Sequence, residues 1–359
     1  MQVEKKRSAY LRIYEDIVLK IKRYQYVTGN FLPSERTLSE IYEVKRPTIR
    51  HALELLCKNG YITKIHGAGN KVIYGDFERK QQNSAANTIV YVMPDSEAEQ
   101  GPQPYHIEIC TNLEKICGEK NYNLIFTKAR IIGGLIPQWL YSEHVIGAIW
   151  VSNVSIELLE TAYNINLPSI IFQNESSFFP KINLDDINGA YLATSHLIAQ
   201  GCKQILHIAG MKSYIATERR IEGYKRALLT HGLPFNPENV LYGDWSYESG
   251  HALASKILDT RFDIDGVFAA CDLMALGCMN AAIQKKYSIP NRIKIVGIDD
   301  IEQSRTSQIP ISTIRFSQNE VAALLFLALN EVFMKKSIPN EILVPATLIV
   351  RESSGGKQS

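Results

Sequence analysis

The chain has 359 residues, 45% of them apolar, with 39 Lys and Arg against 37 Asp and Glu, which excludes a disordered tail and leaves room for two or three domains with buried cores. The charge is uneven: residues 1–80 hold 16 Lys and Arg against 9 Asp and Glu, the remainder 23 against 28, so a basic head suited to a polyanion precedes a mildly acidic body. The opening MQVEKKRSAY is charged with no apolar segment behind it, and the apolar run at 322–329 falls far short of the about 20 residues of a membrane span, so a cytoplasmic protein with no membrane partner is expected.

Tyr10, Ile13, Tyr14, Ile17 and Ile21 recur at helical spacing and predict an amphipathic helix over residues 8–24. Ser34 is placed to N-cap a second, short helix reaching Tyr42. Pro47, tolerated in a first turn, opens a third helix that runs to about Lys58 and is stopped by Asn59-Gly60. YITKI and KVIYG, on either side of HGAGN, predict a two-stranded hairpin with a glycine-rich tip. Three helices and a hairpin, with only EVKR between the second and third helices, make a winged helix-turn-helix layout whose third helix would enter a major groove. On that helix Ile49, Ala52, Leu53 and Leu56 take the core face. Arg46, Thr48, Arg50 and His51 are left near its start, where they could meet phosphates or guanine edges, and Arg36 opens the helix before it. Each arginine alone reads equally well as a solvated helix end; the basic head as a whole favours DNA.

DFERKQQNSAAN is polar and aperiodic, so residues 76–87 read as a linker between a head at 1–75 and a body at 88–352. In the body, strand-like runs (TIVYV, YNLIF, GAIWV, SIIF, QILHIAG, GVFAA, IKIVGID) alternate with helical stretches, the pattern of an α/β protein with doubly wound parallel sheets. Its length, about 265 residues, implies two lobes. Parallel sheets place ligands beyond the carboxyl ends of their strands. There stand Gln173 after SIIF, Trp245 after LYGD, Asp272 after GVFAAC, and Asp299 with Asp300 after IVGI. Carboxylates, an arginine and a flat aromatic suit a polyhydroxylated ligand, because polar side chains bond hydroxyls and the indole covers C–H faces. A strand-terminal aspartate is about as often a helix cap, and a lone tryptophan is more often core.

No P-loop, G-x-S-x-G or H-E-x-x-H phrase occurs, so no catalytic residue is expected. The neighbours Asp185-Asp186 and Asp299-Asp300 would point different ways at strand ends and make poor acid–base partners. Six scattered cysteines without a C-x-x-C pair argue against a metal or other cofactor. His196 and His207 read as structural.

The phrase LPSER-L-E---V-R-TIR-AL--L---G-I----G-G--V over residues 32–72 resembles the DNA-binding domain of the GntR family. The resemblance implies that Arg36, Arg46, Thr48, Arg50 and the wing glycine Gly67 approach DNA, with His66 at the wing tip. Lys45, also placed at the DNA face, stands where that family usually has a small hydroxyl residue. From Thr88 to Glu352 the phrases INLDDINGAYLATSHLIAQGCKQILHIAG, RRIEGYKRAL, VFAACDLMALG, IVGIDD and LIVRESS resemble the effector domain of the LacI family, which shares the two-lobed fold of periplasmic sugar-binding proteins. The resemblance implies effector contacts from Arg220, Asp272 and Asp299. GDWS at 243–246 looks like a sugar-stacking stretch and points to Trp245. Gln173 stands where aspartate is frequent, Tyr105 and His106 take the place of an aromatic pair near the cleft, and Phe316 is a weaker pocket candidate. Cys271 replaces the usual asparagine before Asp272.

The combination resembles the arabinose-repressor type. It implies a homodimer that binds a pseudo-palindromic operator and releases it when a free sugar, arabinose by resemblance, enters the body. Alternatives are a regulator sensing a phosphorylated sugar or a purine, and a cytosolic sugar-binding protein or enzyme with an accessory DNA-binding head.

Overall fold

The computed structural model describes residues 9–22, 26, 29–65, 69–73, 87–94, 103–129 and 136–356. In the head, α1 (Ala9–Lys22) carries Ile13, Ile17 and Ile21 on one buried face. The Ser34 hydroxyl caps α2 (Glu35–Ile41) by accepting the Thr37 N–H at 3.1 Å. α3 (Arg46–Lys58) begins with Pro47 in its first turn and buries Ile49, Ala52, Leu53 and Leu56 against α1 and α2. β1 (Ile62–Ile65) and β2 (Gly69–Val72) pair antiparallel from Ile62 with Val72 to Ile65 with Gly69. The tip that joins them, with His66 and Gly67, lies outside the described residues. So does the expected linker, except Asn87, which already belongs to a strand because it pairs with Tyr122.

Among the described residues the body has two six-stranded sheets. The N lobe has the order β4-β3-β5-β6-β7-β13, all parallel: β3 (Asn87–Pro94), β4 (Tyr122–Ala129), β5 (Val145–Val151), β6 (Ser169–Phe172), β7 (Lys181–Leu184) and β13 (Glu341–Val344). The C lobe has the order β9-β8-β10-β11-β12-β14: β8 (Ile205–Ala209), β9 (Val240–Tyr242), β10 (Gly266–Ala269), β11 (Lys294–Ile298), β12 (Ser312–Arg315) and β14 (Thr347–Ile349), the last antiparallel to its neighbour. Both sheets have helices on their two faces, which is why strands such as VIGAIWV are apolar almost throughout rather than alternating. Each sheet reverses its winding beside its first strand, between β3 and β5 and between β8 and β10, and crevices open at such points.

Among the described residues the chain crosses between lobes three times. Leu184 ends β7 in one lobe and α6 (Asp186–Ala199) packs in the other; β12 leads to α11 (Gln318–Phe333), back on the N lobe; β13 leads to β14. Three short crossings side by side form a hinge about which two rigid layers can close. The short strands β7, β13 and β14 are not among the strand-like runs singled out in the sequence, although β13 and β14 read EILV and TLI.

His207 and His196 are structural, as their phrases suggest. His207 is fully buried, bonded to the Phe268 carbonyl at 2.9 Å and stacked on Phe268, and burial holds it neutral with a pKa lowered to about 4. His196 bonds the Ser354 hydroxyl at 2.7 Å. No helix among the described residues is long and apolar enough to cross a membrane.

Candidate ligand pocket and nucleic-acid interface

On the head, Lys45, Arg46, Arg50 and His51 are exposed at the start of α3, with Thr48 half-buried beside them. Two of the expected cations have partners on the same surface. Arg50 reaches Glu35 at 3.1 Å, tying α3 to α2, and Arg36 pairs with Glu40 one turn on at 3.2 Å. Both pairs are open to solvent, so they are weak and can be exchanged for phosphates. His51 stacks on Tyr10 of α1 with ring centres 4.1 Å apart and planes 3° from parallel, a contact the helical periodicity does not reveal.

In the body, the ends of both sheets face each other across a cavity of about 640 Å³, its open mouth included. The N lobe contributes Met93, Gln103, Tyr105, His106, Ser152 and Gln173; the C lobe contributes Tyr214, Ile215, Ala216, Arg220, Trp245, Cys271 and Asp299. Six of the eight expected ligand contacts therefore come together. Four of the lining residues, Ser152, Gln173, Trp245 and Asp299, hold φ values of 51°, 57°, 70° and 117°. Left-handed backbone is costly for such side chains and collects where chains turn sharply at functional crevices.

Arg220 projects from α7 (Ile215–Thr230) with its side chain only 4% exposed. Its Nε donates to Asp186 Oδ1 at 2.7 Å, an Nη donates to the Ala270 carbonyl, and the guanidinium lies 5.4 Å from the Trp245 ring centre. Burial pushes the Asp186 carboxyl up and Arg220 opposes it. A guanidinium keeps its proton in any environment, and at 2.7 Å its charge favours the ionised form of Asp186 against the burial that disfavours it. Asp299, across from it, is driven well above the usual carboxylate range by burial, again opposed by Arg220.

Trp245 is seated by what lies beneath it: a Cβ on Gly210 would stand 2.0 Å from the indole, so only glycine leaves room. Cys271 Sγ donates to the Trp245 carbonyl at 3.4 Å and accepts the Met274 N–H at 3.5 Å, capping α9 (Asp272–Gln284) while bracing the tryptophan backbone. Trp245 Nε1 and the Tyr105 hydroxyl are buried without a hydrogen-bond partner among the described residues. Two orphaned donors beside a carboxyl group define a site that asks for a ligand with both acceptors and donors. His106 accepts or donates to the Tyr91 hydroxyl at 3.0 Å, and burial depresses its pKa to about 4.

Two expected contacts do not reach the cavity. Asp272 is fully buried, with Oδ1 accepting from the Thr313 hydroxyl at 2.7 Å and Oδ2 from the Ile301 N–H at 3.1 Å. It pins the loop that carries Asp299 instead of meeting a ligand, and burial raises its pKa to about 7. Phe316 is fully buried where the chain crosses from β12 to α11, packed near Gly189. The paired aspartates do diverge. Asp185 caps α6 while Asp186 turns inward to Arg220. Asp300 turns away from the cavity into Arg315, at 2.6 Å, Arg351 and Arg305, at 3.3 Å. Sequence reasoning missed Asp186, Gly210, Ser152 and Gln103. No local signal marks Asp186, whose partner Arg220 lies 34 residues on.

The gntR family of bacterial regulatory proteins matches residues 9–72, and a periplasmic binding protein-like domain matches residues 194–354. The HTH-type transcriptional repressor PurR of Pasteurella multocida is 30% identical over 258 residues, 70% of this chain and 72% of that protein. The HTH-type transcriptional repressor MelR of Bacillus subtilis is 26% identical over 350 residues, 95% of this chain and 97% of its own. Among solved structures, a transcriptional regulator CelR–cellobiose complex matches with a TM-score of 0.67 at 22% identity, covering 90% of this chain and 100% of that one.

Proposed function

Because this chain belongs to the LacI-type HTH transcriptional repressors, with a gntR-family DNA-binding head, we propose that it is a cytoplasmic one-component switch: a homodimer holds an operator through its two heads and releases it when a small free sugar fills the cavity between its lobes. The observation that carries the ligand class is the charge and hydrogen-bond state of that cavity. Arg220 is already matched by Asp186, so no net positive charge remains to hold a phosphate. What stays unmatched, Trp245 Nε1 and the Tyr105 hydroxyl, together with the Asp299 carboxyl that lines the same cavity, suits hydroxyls and ring oxygens, with the indole face against C–H groups. A relative of the same fold is described in complex with cellobiose, which supports a carbohydrate in the cleft.

At the DNA, Arg46, Thr48 and Arg50 read or position the major groove, Lys45 and Arg36 neutralise phosphates, and the wing with His66 and Gly67 reaches the neighbouring minor groove. The domains are 1–75 for the head and 76–86 for the linker, with the body running from Asn87, which already pairs with Tyr122, to 352. The relatives are regulators, and the pocket is assigned no catalytic residue. Coupling of about 1–3 kcal/mol between the sites, roughly 5–150-fold in operator affinity, makes a working switch. The test is a thermal-shift screen of the full chain against free pentoses, arabinose first, hexoses, sugar phosphates and purines. A free sugar at 100 times its Kd should add about 2.7 kcal/mol of stability. Shifts only from phosphates or purines would overturn the ligand class.

A further inference from the structure

Arg219 and Arg220 are neighbours on α7, about 100° apart around the helix axis. Arg220 turns into the cavity. Arg219 leaves it and crosses the gap between lobes, where it meets Glu175 just beyond β6 and lies 3.8 Å from Glu341 on β13, both on the N lobe. Glu175 is shared with Lys181 of its own lobe at 2.9 Å, and Glu341 is oriented by the Asn183 amide at 2.7 Å. A second bridge, Asn153 Nδ2 to the Ser213 carbonyl at 2.6 Å, joins the lobes near the start of the same helix.

We propose that Arg219, with Glu175 and Glu341, is an inter-lobe latch that sets how readily the body closes, and so tunes effector affinity from outside the pocket. The carboxylates are prepositioned on one lobe and the arginine arrives only with the other, so the pair gains its attraction on closure. Arg219 is a positioning residue that acts through the shared helix. Its partners are about two-fifths exposed, so the latch is screened by salt. The consequence is specific: a neutral sugar, whose direct contacts carry no net charge, should bind more weakly as ionic strength rises. That consequence rests on the effector-sensing reading; the latch itself does not.

Two measurements on the full chain test it. The first is calorimetric titration of the best-shifting neutral sugar at about 0.05 M and 0.5 M NaCl. Exposed ion pairs are worth about 0.2–1 kcal/mol, so salt should weaken wild-type binding by up to about fivefold. Arg219→Gln should bind more weakly by a similar factor at low salt and lose the salt dependence. Arg219→Lys should recover part of both, and Arg219→Gln with Glu175→Gln should be less than additive. The second needs no ligand: the distance distribution between spin labels on exposed Ile156 of the N lobe and Phe262 of the C lobe, in a Cys57→Ser background. Arg219→Gln at low salt, and wild type at high salt, should both move away from the low-salt wild-type distribution. Identical distributions would overturn the latch whether or not a sugar is found; unchanged affinity and salt slope in Arg219→Gln would overturn its role in effector binding. If no sugar binds wild type, the proposed function fails, and the distances still decide the latch.

Discussion

Replacing Asp186 by asparagine keeps the shape of the side chain and an oxygen for Arg220 Nε, and removes the one charge that lies 2.7 Å from the guanidinium. Both side chains are nearly sealed, 4% and 3% exposed, so the stranded cation cannot turn to water. Breaking a buried ion pair from one side costs about 3–5 kcal/mol. The lower end applies here, because the amide oxygen still accepts and Asp299 faces the same arginine. In a body of this size about 3 kcal/mol lowers Tm by roughly 6 to 12 °C. A second effect accompanies the first: with Asp186 neutral, Arg220 draws on Asp299, and the carboxyl that should bond a hydroxyl becomes a counter-ion. Asp186→Asn should therefore bind sugar at least about tenfold more weakly, with operator binding by the head intact. The assays are thermal unfolding followed by tryptophan fluorescence, sugar titration and an operator shift. A Tm within 2 °C of wild type, or unchanged sugar affinity, would mean that Asp186 does not hold Arg220 in this way.

Gly210→Ala should fold and bind operator, yet lose most sugar affinity, about tenfold or more, because its methyl occupies the seat of the Trp245 indole; calorimetry beside Trp245→Ala checks this, and full affinity in either variant would discard the stacking role. Arg50→Ala should weaken operator binding by about 1–3 kcal/mol if it reads a base, or reduce the salt slope by about 1 if it holds a phosphate, with sugar affinity untouched; fluorescence anisotropy across salt separates these, and no change would remove Arg50 from the interface. Asp272 titrates near 7 in the fold because of burial, against a usual value of 3.8. An acid raised on folding stabilises fully below its unfolded pKa and loses that contribution as pH rises through its folded one. The stability of Asp272→Asn relative to wild type should thus improve steadily from about pH 4 to about pH 7 and then level off; urea unfolding of both proteins that shows a parallel pH dependence would contradict this.

The head was legible in detail because each helix solves one local problem: an apolar stripe, a serine cap, a proline in a first turn, a glycine stop. The strands of the body were legible where both faces are covered, since burial on two sides writes a continuous apolar run. Short edge strands such as β14 are held by a single neighbour, and three residues, TLI, are too few to tell a strand from any other apolar stretch. Within the pocket, Trp245, Gln173 and Asp299 stood out as polar or flat residues after strands, but so did Asp272, and only backbone geometry separates them. Asp299 sits at φ 117° and opens to the cavity, whereas Asp272 is the first residue of a helix and is folded beneath the loop. Asp186 and Gly210 act through a partner distant in sequence, an arginine 34 residues on and an indole 35 residues on, and no local pattern encodes such a pairing.

In the proposed switch, one ligand binds the body and thereby loosens the head's hold on DNA. This coupling is tested most directly by titrating the full chain onto operator DNA at fixed salt, with and without the free sugar that gives the largest thermal shift. Saturating sugar should weaken operator binding roughly 5–150-fold, and Trp245→Ala should abolish the response without altering affinity in the absence of sugar. An operator affinity that stays the same while the sugar is demonstrably bound would contradict the coupling.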